Sequence, residues 1–300
     1  MTTRFLLLLV VALAAACGDD PKPNVPPTLS DVRVSTDEDT PAVIAVSPED
    51  ADGDTLEVTF TAPSHGTLEG TGTTVTYTPR ANFTGEETFE VTVSDGKASA
   101  VATVTVTVNP VNDSPVAAND TVAMDEDVLL TLAARTLLAN DSDVDSQPLT
   151  ITAVQNSSHG TATLSGTAIT FRPSADFNGE AAFEYVVTDG QTHSIGLVTV
   201  TVNPENDGPV ATPVTVTAAH NTATDITLTV TDLEGDALTF TTTTPAHGTL
   251  SGTGARRTYI PEAGFSGQDR FTFEASDGRL VSNTATVSIT VNPPPGPPPP

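Results

Sequence analysis

Residues 101–115 read VATVTVTVNPVNDSP. Val104, Val106 and Val108 alternate with threonines, and a period of two marks a strand with one face buried. Asn109-Pro110 then ends the strand, because proline brings no N–H to a ladder. The same ending recurs at Asn203 and Asn292. Upstream of each ending lie the same signs in the same order. An acidic loop comes first: DADGD at Asp50–Asp54, DSDVD at Asp141–Asp145, DLEGD at Asp232–Asp236. His-Gly-Thr follows at His65, His159 and His247, which are 94 and 88 residues apart. Next come an aromatic-x-Pro (Tyr77/Pro79, Phe171/Pro173, Tyr259/Pro261) and a Phe-x-Gly turn (Phe83/Gly85, Phe177/Gly179, Phe265/Gly267). Asp-Gly closes the set at Asp95, Asp189 and Asp277. So many ordered matches establish three repeats.

A unit of that length suits one Ig-sized β-sandwich rather than a solenoid turn. Leu56, Val58 and Phe60 alternate with polar residues, as do Phe89, Val91 and Val93. The same faces return as Phe183/Tyr185/Val187 and Phe271/Phe273/Ala275. Apolar residues are expected to line the sandwich interior, with Thr and Glu facing water. No long amphipathic helical stretch appears after residue 20. The fold class is therefore all-β: three tandem Ig-sized antiparallel sandwiches, at 27–110, 111–204 and 205–293. The Pro-rich tail at 294–300 is expected to be extended and polyproline-like, a spacer or the edge of a truncated product.

The chain of 300 residues carries 38 Asp+Glu against 11 Lys+Arg, a net −27. Such a charge repels phosphates, which argues against nucleic acid, and attracts multivalent cations. No nucleophile elbow, HExxH, phosphate loop or CxxC is visible. Ser and Asp recur at matching positions in all repeats, as structural turns do, so the chain reads as non-enzymatic. No His/Cys cluster suggests zinc, and the His-Gly pairs read as turn residues before a strand. Trp is absent, and two of the three tyrosines fall on apparent core faces. That leaves few rings for stacking sugars and favours adhesion or spacing over carbohydrate binding.

The N-terminus is separate. Arg4 precedes the apolar run FLLLLVVALAAA from Phe5 to Ala16, a length that fits a secretory h-region. Ala14, Ala15 and Ala16 lead into Cys17, the sole cysteine, so no intrachain disulfide forms. The arrangement resembles a bacterial lipobox, which implies a signal peptide at 1–16, a lipidated Cys17 and a tether at 17–26. The expected location is the cell envelope, at the outer membrane or cell surface, with the membrane bound through Cys17. An ordinary signal peptide cleaved near Ala16 is the plainer reading.

Strand parity places the acidic groups. The second and sixth strands of each repeat end at the same end, the first and last at the other. Junction one would then gather Glu38, Asn112 and Asp113 with Asp143, Asp145 and Asp189. Junction two would gather Glu126, Asn206 and Asp207 with Asp232, Glu234 and Asp277. Carboxylate, amide and backbone oxygens are what Ca²⁺ selects, and Asp-Gly loops also simply make tight turns. Repeat three has His220-Asn221 where its predecessors have acidic pairs.

With VNPVNDSP, DADGD and VSDG, residues 27–293 resemble bacterial cadherin-like, Ig-like tandem repeats of surface proteins. The resemblance implies Ca²⁺ between successive repeats and a stiffened, membrane-anchored adhesin or spacer. A surface protein or a glycan is the implied ligand. The chain departs from cadherins at Pro110 and Pro204, where the linker Asp would stand, and around Ser114 and Gly208. The acidic motif expected in mid-repeat is not visible, so the resemblance implies a reduced ligand set.

Overall fold

The computed structural model describes residues 22–296. The signal peptide and Cys17 lie outside the described residues.

Repeat one holds β1 (Val32–Asp37), β2 (Ala42–Ala45), β3 (Glu57–Phe60), β4 (Gly66–Thr71), β5 (Thr74–Pro79), β6 (Gly85–Ser94) and β7 (Ser99–Asn109). Its two sheets are ordered β1-β7-β6-β3 and β2-β5-β4. Repeat two holds β8 (Asp120–Asp125), β9 (Leu130–Ala133), the short helix α1 (Ala134–Leu137), β10 (Thr150–Ser158), β11 (Gly160–Ser165), β12 (Ala168–Pro173), β13 (Gly179–Thr188) and β14 (His193–Asn203). The sheet orders repeat as β10-β13-β14-β8 and β11-β12-β9. Repeat three begins with β15 (Val210–Thr212), β16 (Val214–Ala218), β17 (Thr224–Thr227) and β18 (Thr229–Thr231). It continues with β19 (Thr239–Thr242), β20 (Gly248–Ser251), β21 (Arg256–Pro261), β22 (Gly267–Ser276) and β23 (Ala285–Val291). Its sheets run β16-β23-β22-β19 and β17-β21-β20, with β15-β18 as a separate pair.

The alternation predicted from sequence is the alternation of burial. On β6, Phe89, Val91 and Val93 point inward; on β7, Val104, Val106 and Val108 do so, while Thr103 and Thr107 face water. All of these but Val93 pack with Ile44, Val75 and Tyr77 of the facing sheet into one core, the Tyr77 and Phe89 ring centres 6.2 Å apart. Repeat three builds its core from Ile226, Tyr259, Phe271, Phe273, Val287 and Ile289. Each fully buried Phe or Val contributes about 1.5–3 kcal/mol of transfer free energy, so these faces decide the fold.

The His-Gly-Thr sign has a packing cause. The histidine ring stacks on the phenylalanine of the Phe-x-Gly turn with centres 4.3 Å apart in every repeat: His65 on Phe83, His159 on Phe177, His247 on Phe265. The glycine lies against the core aromatic. A Cβ on Gly66, Gly160 or Gly248 would stand 2.4–2.5 Å from Tyr77, Phe171 or Tyr259. The histidines therefore staple two turns together.

Two buried acids sit beneath these staples. Glu87 accepts the Ser64 and His65 amides at 3.1 and 2.6 Å, and Asp269 accepts Ala246 and His247 at 2.9 and 3.0 Å. Repeat two has Ala181 at this position and omits the bonds. All three tyrosines are buried, one more than the core faces expected from sequence.

The chain divides into two compact units with the cut inside repeat two. The first runs to Ala118 and adds Leu137–Thr152 and Val186–Ile195; the second takes Asn119–Thr136, Ala153–Tyr185 and the chain from Gly196 on.

Candidate metal centres at the repeat junctions

Each junction is built wholly inside one unit. In the first, β1 ends beside β7, and Glu38 follows with its amide bonded to the Asn109 carbonyl at 2.9 Å. The Glu38 side chain is buried, and its Oε1 accepts the Val111 amide at 2.7 Å. A buried carboxylate thus turns the chain out of the repeat. Asn112 then donates its side-chain amide to Asp189 Oδ2 at 2.7 Å, and the Asp113 amide donates to Asp145 Oδ2 at 2.8 Å. As a result Glu38, Asp113 and Asp145 bring one carboxylate oxygen each within 4.8 Å of one another.

The second unit repeats the arrangement, except that the loop donor is the third residue of DLEGD rather than the fifth of DSDVD. Glu126 accepts the Glu205 amide at 2.6 Å, and Asn206 donates to Asp277 Oδ2 at 2.8 Å. Glu126, Asp207 and Glu234 meet within the same 4.8 Å. Asp127, Asp176 and Asp207 form a further group there.

Asp143 and Asp232 serve their own loops through Oδ1, accepting Gln147 and Asp236 amides at 3.4 and 2.8 Å. Their Oδ2 atoms, like those of Asp113 and Asp207, are buried without a hydrogen-bond partner. A buried carboxylate oxygen left in that state is costly unless something positive meets it. Hard oxygen donors clustered within a few ångströms suit Ca²⁺, so the donor set fits that ion.

Asp127 and Asp176 escaped the sequence reading, which saw no acidic motif in mid-repeat. Both adopt left-handed backbone, φ 58° and 55°, and the Asp176 amide donates to Asp127 Oδ1 at 3.3 Å. The same turn pair occurs as Asp39–Asn82 and as Asn221–Gly264. Only the pair at junction two carries two acids. The Asx residue after each first strand (Asp39, Asp127, Asn221) and the Asn, Asp or Gly before each Phe-x-Gly (Asn82, Asp176, Gly264) were the available signal.

The charges have consequences. Asn112 foremost, against burial and with help from the Gln191 and Thr192 amides, holds the Asp189 carboxyl well below the carboxylate range. Asn206 foremost, then the Leu280 and Arg279 amides, lowers the Asp277 carboxyl. Asp207 goes the other way: burial, then Asp176, Glu234, Asp127 and Glu126, push its carboxyl up. The signs follow by linkage. A lowered folded-state pKa contributes stability above the ordinary Asp value of about 3.9 that is lost as pH falls through the lowered value. A raised one weakens the fold at neutral pH, and acid relieves it. Without metal, Asp207→Asn should therefore raise the melting temperature at pH 7 and lose that advantage as pH falls through the raised Asp207 value. Equal melting of variant and parent at neutral pH would remove the repulsion argument.

The outer end of repeat one uses lysines. Lys22 meets Asp52 at 2.7 Å, and Lys97 meets Asp54 at 3.0 Å. Among the described residues no helix is long and apolar enough to cross a membrane.

Comparison with known proteins agrees with the fold. The family described as Bacterial Ig domain matches residues 24–109 and 206–290, and the family described as Cadherin-like domain matches 111–203. No curated protein matches. Among solved structures, the chain is similar to protocadherin gamma B2 extracellular cadherin domains 3–6, at 12% identity and TM-score 0.51, covering 89% of this chain and 73% of that one. It also matches the human desmocollin-1 ectodomain at 11% identity and TM-score 0.43, covering 88% and 60%. An endo-fucoidan hydrolase from glycoside hydrolase family 107 matches at 22% identity and TM-score 0.28, covering 91% of this chain. The chain spans only 45% of that hydrolase. Two repeats flanking a cadherin-like one carry the matching signature over more than half the length, and the chain belongs to the bacterial Ig domain family.

Proposed function

We propose that the chain is a non-enzymatic extracellular spacer or adhesion module whose junctions bind Ca²⁺ and stiffen on doing so. The observation that carries this is the pair of clusters at corresponding places, Glu38–Asp113–Asp145 and Glu126–Asp207–Glu234, which share the buried Glu and the linker Asp. Each ties a buried acid of one repeat to the linker and to a loop of the next. In the metal-free state such carboxylates repel; a divalent cation would replace repulsion by shared ligation. Glycan recognition by ring stacking finds no support from the tyrosines, all of which are buried. Attachment to the envelope through a lipidated Cys17 completes the proposal, and Cys17→Ser should release the protein from the membrane fraction.

The test is a Ca²⁺ titration of the protein followed by melting and small-angle scattering. A ligand bound only by the folded state adds about 2.7 kcal/mol at one hundred times its Kd. Ca²⁺ should raise the melting temperature and narrow the spread of inter-repeat angles, with Mg²⁺ doing less. Asp145→Asn should remove the response of junction one and spare junction two. Identical melting and scattering in chelator and in millimolar Ca²⁺ would overturn the proposal.

A further inference from the structure

Repeat two differs from its neighbours at one turn. Where repeats one and three have Phe83-Thr84-Gly85 and Phe265-Ser266-Gly267, it has Phe177-Asn178-Gly179, the single Asn-Gly pair in the chain. Asn178 and Gly179 are both exposed. Gly179 has φ 123° and, as a glycine, no Cβ to shield its backbone nitrogen. The Asn178 amide reaches Glu126 Oε2 only through a long bond of 3.4 Å. Around it stand Glu126 itself and Asp176, two residues earlier, which is grouped with Asp127 and Asp207.

We infer that Asn178 is a self-modification site whose deamidation adds one negative charge to junction two. The Gly179 backbone nitrogen, on losing its proton to solvent base, attacks Asn178 Cγ. The new N–Cγ bond closes a five-membered imide, the Cγ–Nδ2 bond breaks, and the nitrogen leaves as ammonia. Water then opens the ring. Attack at Cγ gives an aspartate, and attack at the main-chain carbonyl carbon gives an isoaspartate with the backbone rerouted through the side chain. No oxidant or enzyme is needed. Glycine makes the attack feasible because no Cβ obstructs the approach. The long bond to Glu126 holds the amide only weakly.

The consequence is electrostatic. A neutral donor to Glu126 becomes a second acceptor, so that bond turns into a like-charge contact beside an already crowded group. In the metal-free protein the modified junction should be less stable, and salt should narrow the difference.

The experiment is peptide mapping by mass spectrometry of the intact protein aged at mildly alkaline pH. Asn178 should convert several-fold faster than Asn156, the asparagine of the exposed Asn156-Ser157 pair, giving both products, and Asn178→Gln should block conversion there. Asn178→Asp serves as the stable equivalent of the aspartate product. In chelator at low ionic strength it should melt below the parent, with the gap closing at high salt. Conversion at Asn178 no faster than at Asn156 would overturn the site, and a melting gap that is absent or insensitive to salt would overturn the charge argument. Both readouts are taken without Ca²⁺. If Ca²⁺ changes nothing in either protein, the calcium reading fails while this one stands.

Discussion

Replacing Phe271 by alanine is expected to cost about 3–5 kcal/mol, the usual loss for a large aromatic removed from a core. Phe271 is 1% exposed and lies opposite Val287 in the β22–β23 ladder. It belongs to the cluster that holds Tyr259, Phe273 and Ile289. A β-sheet cannot collapse into the space, because its hydrogen-bonded backbone fixes the positions of the neighbouring side chains. The lost contacts therefore appear as a cavity in addition to the lost transfer energy. Denaturant unfolding would measure it. Phe89 and Phe183 occupy the matching inward positions of the other repeats, and their alanine variants should behave alike. A loss below about 1 kcal/mol would mean that these faces are not the interior.

Gly248→Ala is the second large effect. The added methyl would lie 2.4 Å from Tyr259 Cε2 and 2.7 Å from the Ile260 carbonyl oxygen. The ring has little room to retreat, since its hydroxyl bonds the His247 carbonyl at 3.2 Å and Asp269 at 2.8 Å. The carbonyl belongs to a strand and cannot turn away. Overpacking of this kind costs about 1–3 kcal/mol. Unfolding of the variant should show that loss, together with a weaker Tyr259–Asp269 bond. Burial, with that bond, raises the Tyr259 hydroxyl well above the normal tyrosine value. A variant as stable as the parent would show that the ring does step aside.

Most of the fold was legible because a half-buried strand writes its orientation in every second residue. The runs at Phe89–Val93 and Val104–Val108 assign inward faces without any knowledge of their partners. Strand parity likewise brought Glu38 to Asp113 and Asp145, since parity fixes which end of a sandwich a loop occupies. Three features were harder. Asp127 and Asp176 join junction two through paired left-handed turns, a backbone property that an aspartate permits without announcing. Glu87 and Asp269 stand two residues before Phe89 and Phe271, so parity marked them as inward. Their acidity argued for the surface, and only the amides of the His-Gly turns explain their burial. The histidines themselves look like turn residues until their rings are seen against Phe83, Phe177 and Phe265.

In each repeat a strand near the start runs parallel to the last one: β1 beside β7, β8 beside β14, β16 beside β23. The chain therefore comes in at one end of this ladder and goes out at the other. Tension applied along the chain pulls the two strands in opposite directions along their shared axis, which is shear. The hydrogen bonds then carry the load together and must break together. An antiparallel hairpin pulled from its open end would lose them one at a time. The registers span six, six and five residue pairs, so the three repeats, each bearing the full tension, resist it about equally. Under drag, the terminal ladders are what a repeat must rupture before its core is exposed.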